Sequence, residues 1–188
     1  VASNLSARDK LQDILIFNFY HHKIEPILSN LIEKIMSESL NTYCCLGIKS
    51  EVERMLSNNA DIEEKNPDNR GITPLIGACE NDHYEIVKIL IAAGAKINVA
   101  DDEGSTALIH ACQNNHREMV MALLKAGALP NEARISTGVT ALIIATKNAD
   151  LLIVKALIAS GAKVDQSDNQ SYAPLWIACE AGHLQIVK

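Results

Sequence analysis

No stretch of this chain approaches the roughly 20 consecutive apolar residues that carry a helix across a bilayer, and no basic n-region, apolar core and cleavage site opens it. It reads as soluble and not exported by that route, although it opens on Val1 rather than Met, which leaves its true start open. Surplus positive charge is missing as well: 17 Lys and Arg stand against 23 Asp and Glu, for a net charge of −6. Phosphate backbones and anionic lipids offer no counterpart to surplus carboxylates, so nucleic acid is set aside as a partner. The five cysteines are an odd number without a framework of spaced pairs, which fits a reducing, cytoplasmic compartment. There is no P-loop, because AAGAK at 92–96 lacks both the upstream glycine and a Ser or Thr after Lys96. No Ser/His/Asp or paired-carboxylate spacing argues for catalysis either, so no enzyme and no cofactor are expected.

What is present is an apolar fraction of 48 %, enough for a real core within one or two domains. It is organised by repetition. ACENDH at 78–83 returns as ACQNNH at 111–116 and ACEAGH at 178–183, so Cys79/His83, Cys112/His116 and Cys179/His183 share one spacing. Around these pairs Gly71, Thr73, Leu75 and Ala78 recur 33 residues later as Gly104, Thr106, Leu108 and Ala111. They recur again as Gly138, Thr140, Leu142 and Ala145, and in a last copy as Ser171, Ala173, Leu175 and Ala178. Such a period changes what every shorter motif means.

Each unit reads as two short helices and a turn. Thr73-Pro74 supplies an N-cap hydroxyl followed by proline at the first helical position, where a missing amide costs nothing. The second helix carries apolar residues at i, i+1, i+4 and i+5, as in Ile86, Val87, Leu90 and Ile91, one buried stripe of a 3.6-residue period. Gly94, Gly127 and Gly161 end these helices at the position that often needs left-handed backbone. The polar run that follows, such as NVADDEG at 98–104, is too short for another helix and reads as a projecting hairpin.

TPLIGAC, TALIHAC, TALIIAT and APLWIAC, beside GAKIN, GALPN and GAKVD, resemble ankyrin repeats. The resemblance implies an all-α solenoid of stacked helix-turn-helix units with projecting hairpins and a concave surface. A weaker unit upstream places Leu40 on Leu75, Cys44 on Cys79, Val52 on Val87 and Met55 on Leu90, with Asn59 standing in for the C-cap glycine. Residues 40–188 then divide into 40–68, 69–101, 102–135, 136–168 and an incomplete 169–188, about four and a half repeats. Two extra residues fall in EKNPDNR at 64–70 and one in NEARISTG at 131–138, which leaves Arg134 and Ile135 hard to place. The family's histidine after Thr-Pro-Leu is replaced by Ile76, Ile109, Ile143 and Trp176, so apolar packing is expected in place of its hydrogen bonds.

Residues 1–39 lie outside the pattern. Ser6 to Asp9 resembles a capping box, and Ile24, Ile27, Leu28, Leu31, Ile32 and Ile35 fit an amphipathic helix, so the segment reads as a helical N-terminal cap over the stack. A docking helix for another chain or a membrane surface is the competing reading, and the few basic residues on it weaken the membrane version.

The cysteine column holds no metal in this reading. Neighbouring repeats lie about 8 to 10 Å apart, too far for a disulfide or for shared zinc ligands, and one Cys/His pair per repeat is not a closed site. Cys44, Cys79, Cys112 and Cys179 are expected to pack inward, with Thr146 in the same column. His21-His22 reads as a solvated turn, and His110 as structural.

Recognition is the use the resemblance implies, with no catalytic, cofactor or metal residues. Similar proteins concentrate partner contacts beside the hairpin glycine and at the two residues after the Ala-Cys pair. Carried over, the candidates are Arg70, Ile72, Glu80 and Asn81; Asp102, Glu103, Ser105, Gln113 and Asn114; Val139, Lys147 and Asn148; and Tyr172 and Glu180. Ile72 and Tyr172 are the expected apolar anchors. The function read from this is non-enzymatic binding of a protein or peptide. The alternative is a targeting arm of a larger enzyme, channel or secreted effector, which the end of LQIVK inside a second helix favours. If residues 1–36 are a cap, deleting them should abolish the cooperative thermal melt, and an unchanged melt would overturn that assignment.

Overall fold

The computed structural model describes residues 39–187, so the helical cap expected over residues 1–39 lies outside the described residues except for Ser39. Among the described residues ten helices run in five pairs: α1 (Leu40–Leu46) with α2 (Lys49–Ser57), α3 (Pro74–Glu80) with α4 (Tyr84–Ala92), and α5 (Ala107–Gln113) with α6 (Arg117–Lys125). They are followed by α7 (Ala141–Lys147) with α8 (Leu151–Ala159) and α9 (Pro174–Glu180) with α10 (Leu184–Val187). First helices pack on first helices from α1 to α9, and second helices on second helices from α2 to α10, so each pair leans on the one before it. The architecture is an all-α solenoid, and among the described residues no helix is long and apolar enough to cross a membrane.

The helices start and stop where local chemistry directs. Ser39, Thr73 and Thr140 are extended and their hydroxyls accept from the amides of Thr42, Ile76 and Ile143. Thr106 has the same backbone but no capping hydrogen bond, and its Oγ1 is buried without a partner. After the second helices, Gly94, Gly127 and Gly161 sit at φ of 90, 93 and 90°, with Asn59 at 57° in the same role. These are the left-handed positions that end a helix without a Cβ clash.

The two helices of a pair are buried to different depths. The first lies between neighbours and is buried almost throughout, from Pro74 to Cys79 in α3 and from Ala141 to Thr146 in α7. The second buries one stripe: Ile86, Val87 and Leu90, then Met119, Val120 and Leu123, then Ile153, Val154 and Leu157. Ile76, Ile109 and Ile143 are buried in the core, as apolar packing at that column requires, whereas Trp176, in the last described repeat, is 46 % exposed and stacks on Tyr172 at 4.4 Å.

Hairpins connect the pairs, and their lengths follow the inserted residues. The amides of Asp101 and Asp168 bond to carbonyls four positions on, at Ser105 and Tyr172. Arg134 reaches five positions to Val139 and Asn66 six to Ile72, matching the one extra residue in 131–138 and the two in 64–70. In the longer turn, Gly138 bonds back to Arg134 and Ile135 is pushed outward, 74 % exposed.

A second left-handed column marks the bend between helices: Gly47, Asp82, Asn115, Ala149 and Gly182. Ala149 is the misfit, an alanine at φ of 56° with neither glycine's freedom nor the local hydrogen bonding of Asn and Asp. Ala149→Gly should therefore stabilise the protein by about 1 kcal/mol, read as a higher thermal midpoint. A lower midpoint would contradict the strain assigned to this bend.

Candidate partner-binding face

Hairpin tips and the ends of first helices share one side of the stack because each hairpin runs directly into the first helix of its repeat. Backbone hydrogen bonds join consecutive tips: Asp102 N–H to Arg70 O, Ile135 N–H to Glu103 O, and Asn169 N–H to Thr137 O, each at 2.9 Å. Side chains extend this ladder. The Arg70 guanidinium meets Glu80 at 2.5 Å, at the end of its own first helix, and Glu103 at 3.7 Å, on the next hairpin. Three of the residues expected from the sequence are thus brought together as one network.

Arg134 does the same one repeat later. Its Nε donates to Ser105 Oγ at 2.9 Å and its Nη2 to Gln113 Oε1 at 2.6 Å. Sequence reasoning left it out of the face because the inserted residue shifts its register. It also missed Asp101 and Asp168, which are buried and fold the hairpins around themselves. Asp101 Oδ1 accepts from the amides of Glu103 and Ser105 at 3.0 and 2.7 Å, and Asp168 Oδ1 accepts from Gln170 and Tyr172, both at 3.0 Å. Their signal was legible: an aspartate three residues before both Gly104 and Ser171.

Two expected contact residues are not available. Ile72 and Ser105 are fully buried, because the residue after the hairpin glycine turns under the hairpin toward the helix it precedes. Ile72 Cδ1 lies beside Gly77 of α3, so Ile72 is a core residue rather than an exposed anchor. Val139 in the same column is half-buried, and Tyr172 is exposed where no described repeat covers it.

The asparagines after the first helices hold the stack together. Asn114 Nδ2 donates to Cys79 O at 3.0 Å and Glu80 O at 2.9 Å, and Asn148 Nδ2 to Cys112 O at 3.0 Å. Each satisfies carbonyls that the preceding helix end leaves open. Asn81 turns back to Gly77 O of its own helix. The face left exposed is Asp102, Glu103, Gln113, Lys147 and Glu180, with Arg70 and Glu80 half-exposed.

The cysteine and histidine columns are joints. Cys44, Cys79 and Cys112 are buried as expected, whereas Cys179, in the last described repeat, is exposed because no described helix packs over it. Thr146 replaces cysteine by donating its hydroxyl to Leu142 O at 2.8 Å. Burial pushes the Cys44 and Cys79 thiols far up and that of Cys112 up to about 12, so none of them forms a thiolate near neutral pH. His83 Nε2 donates to Cys45 O of the preceding repeat at 3.1 Å, and His116 Nδ1 to the Asp82 carboxylate. In the repeat lacking histidine, Asp150 accepts from the amides of Leu152 and Ile153 and takes Arg117 of the preceding repeat at 2.7 Å. Among the described residues, no group of three or more His, Cys, Asp or Glu could hold a metal ion.

The family model described as "Ankyrin repeats (3 copies)" matches residues 40–134 and 128–188, well over half the chain. The chain belongs to the ankyrin repeat family. It is similar to the Caenorhabditis elegans "Ankyrin repeat and KH domain-containing protein mask-1", 31 % identical over 158 residues, which are 84 % of this chain and 6 % of that protein. The chain thus spans a small fraction of the relative it matches. Where the ankyrin pattern has histidine after Thr-Pro-Leu, this chain has isoleucine, yet one imidazole–hairpin bond is rebuilt a position later. His110 Nε2 donates to Asp101 Oδ2 at 3.4 Å.

Two consequences are measurable. In the native protein a thiol reagent should modify Cys44, Cys79 and Cys112 only on unfolding, by mass spectrometry of the labelled peptides. The second is a pH dependence. Burial lowers the His110 pKa below its ordinary 6.5 against the opposing pull of Glu80 and Asp101. Burial pushes the Asp150 carboxyl up, but Arg117 and the Ile153 and Leu152 amides outweigh it and hold the carboxyl below its ordinary 3.8. At both groups the unfolded chain takes up protons first, so their stabilisation is complete above the ordinary values and falls as pH drops. His110→Gln keeps a donor to Asp101 and should flatten the fall in urea midpoint between about pH 7 and about pH 5. An unchanged slope would remove His110 as its source.

Proposed function

We propose that the chain is a non-enzymatic module that binds a protein or peptide across its hairpin tips and first-helix ends. Ankyrin repeats are generally protein-interaction modules, and the observation that supports this face is the Arg70–Glu80–Glu103 network continued by Arg134, Ser105 and Gln113. Side chains held in place before binding lose less entropy on association. Asp102, Gln113, Lys147 and Glu180 project from the same side with both charge signs, which suits a partner read by polar and ionic pairing. Buried Ile72 has no part in it, and Tyr172 contributes as one plate of its stack with Trp176.

The alternative, a recruiting arm of a larger protein, rests on the 6 % share of the C. elegans relative that this chain spans. The two readings use the same face and differ in what is attached to it, which the full-length sequence decides.

Asp102→Arg combined with Lys147→Glu tests the face, since both side chains are exposed and neither takes part in an ion pair among the described residues. For a partner captured with the intact chain, affinity should fall about tenfold while the thermal midpoint stays put. Unchanged affinity with an intact fold would place the partner elsewhere.

A further inference from the structure

The side made by the second helices carries a site of a different kind. Residues one repeat apart are neighbours there, so Lys88 of α4, Met121 of α6 and Lys155 of α8 form a row across three helices. Beside that row the side chains shrink to Ala122 and Ala156, and a groove opens between α6 and α8, lined by Arg117, Met121, Leu152, Ile153, Lys155 and Ala156. It continues past Lys125 toward α4 at Tyr84 and Lys88. Met121 and Leu152 are 57 % and 59 % exposed. A single exposed apolar residue needs no explanation, but two facing each other along one groove mark a contact surface.

The charge of the rim identifies what fits. In a chain of net charge −6, the groove is edged by Lys88, Arg117, Lys125 and Lys155 against Glu118. Asp150 holds Arg117 at 2.7 Å and Glu85 holds Lys88 at 2.6 Å. Lys125 and Lys155 take part in no ion pair among the described residues. A cationic rim with an apolar floor is complementary to a ligand that is apolar on one stripe and acidic beside it.

We propose that this groove is a docking site for an acidic amphipathic helix of a partner protein. A helix is about 10 to 12 Å across with its side chains, close to the spacing of packed second helices, so its apolar stripe can lie on Met121 and Leu152. Flanking carboxylates then reach Lys125 and Lys155. A flat bilayer would touch the rim and leave the floor open. The groove shares no residue with the hairpin face, so this site stands or falls separately from that reading.

The test is a displayed library of helix-favouring peptides of about 15 residues, selected against the intact chain and measured by fluorescence anisotropy. Two groove variants, Met121→Asp with Lys155→Glu and Lys125→Glu with Lys155→Glu, alter exposed side chains and should keep the wild-type melt. The expected result is a set of acidic peptides with apolar residues at i, i+3 or i+4 and i+7. These should lose about tenfold or more in affinity for both variants and nothing for Asp102→Arg with Lys147→Glu. Selected peptides indifferent to the groove variants, or sensitive to them without an acidic excess, would overturn the proposal. Groove-dependent sedimentation with phosphatidylcholine–phosphatidylserine vesicles, with no groove-dependent peptide, would overturn it in favour of a membrane surface.

Discussion

The burial of each first helix between its neighbours is the constraint on which the rest depends. Seven-residue helices such as α3 and α5 are far too short to hold together alone, because nucleating a helix costs more than one or two turns return. Their stability comes from stacking: Leu75, Ala78 and Cys79 meet the same columns one repeat on, at Leu108, Ala111 and Cys112. The small residues set how closely the helices approach. In the last described repeat Leu175, Trp176 and Cys179 are exposed, although they occupy columns that are buried in the inner repeats.

Apart from Thr106 Oγ1 and Gln166 Oε1, the polar groups that stacking would strand among the described residues are turned into joints. The carbonyls ending α3 and α5 accept from Asn114 and Asn148 of the following repeat. At the bend between helices, His83 and His116 reach back one repeat, and where histidine is lost the Asp150–Arg117 pair crosses the same gap. On the hairpin side, one backbone hydrogen bond per junction and the Arg70 and Arg134 bridges align the tips. The joints that hold the solenoid therefore also build the surface proposed for recognition, and partner binding and repeat stacking draw on neighbouring side chains.

The period made most of this fold legible. Helix pairs, the buried cysteine column, Thr146 as its substitute, the left-handed Asn59 and the lengthened hairpins all follow from residue type and register. The face was less legible, for reasons specific to its residues. Ile72 looks like an exposed anchor until the hairpin folds it against Gly77, and no periodicity states which side of a short hairpin a side chain takes. Asn114 and Asn148 look like free amides but answer to carbonyls about 35 residues away, which only the stacked structure brings near. Arg134 was hidden by the insertion that displaces it. The groove on the second helices was not read at all, because it depends on residues in three repeats that are alike in neither size nor charge.

The central claim is that the hairpin tips form one aligned surface before any partner arrives. Hydrogen exchange of the free chain tests it at Asp102, Ile135 and Asn169, the hairpin amides that bond to the preceding hairpin. Although Asp102, Ile135 and Asn169 are exposed residues, these amides should exchange far more slowly than the same sequence in an unstructured peptide. Exchange at unstructured rates, with the first helices still protected, would mean that the tips are not held in line and would contradict the account.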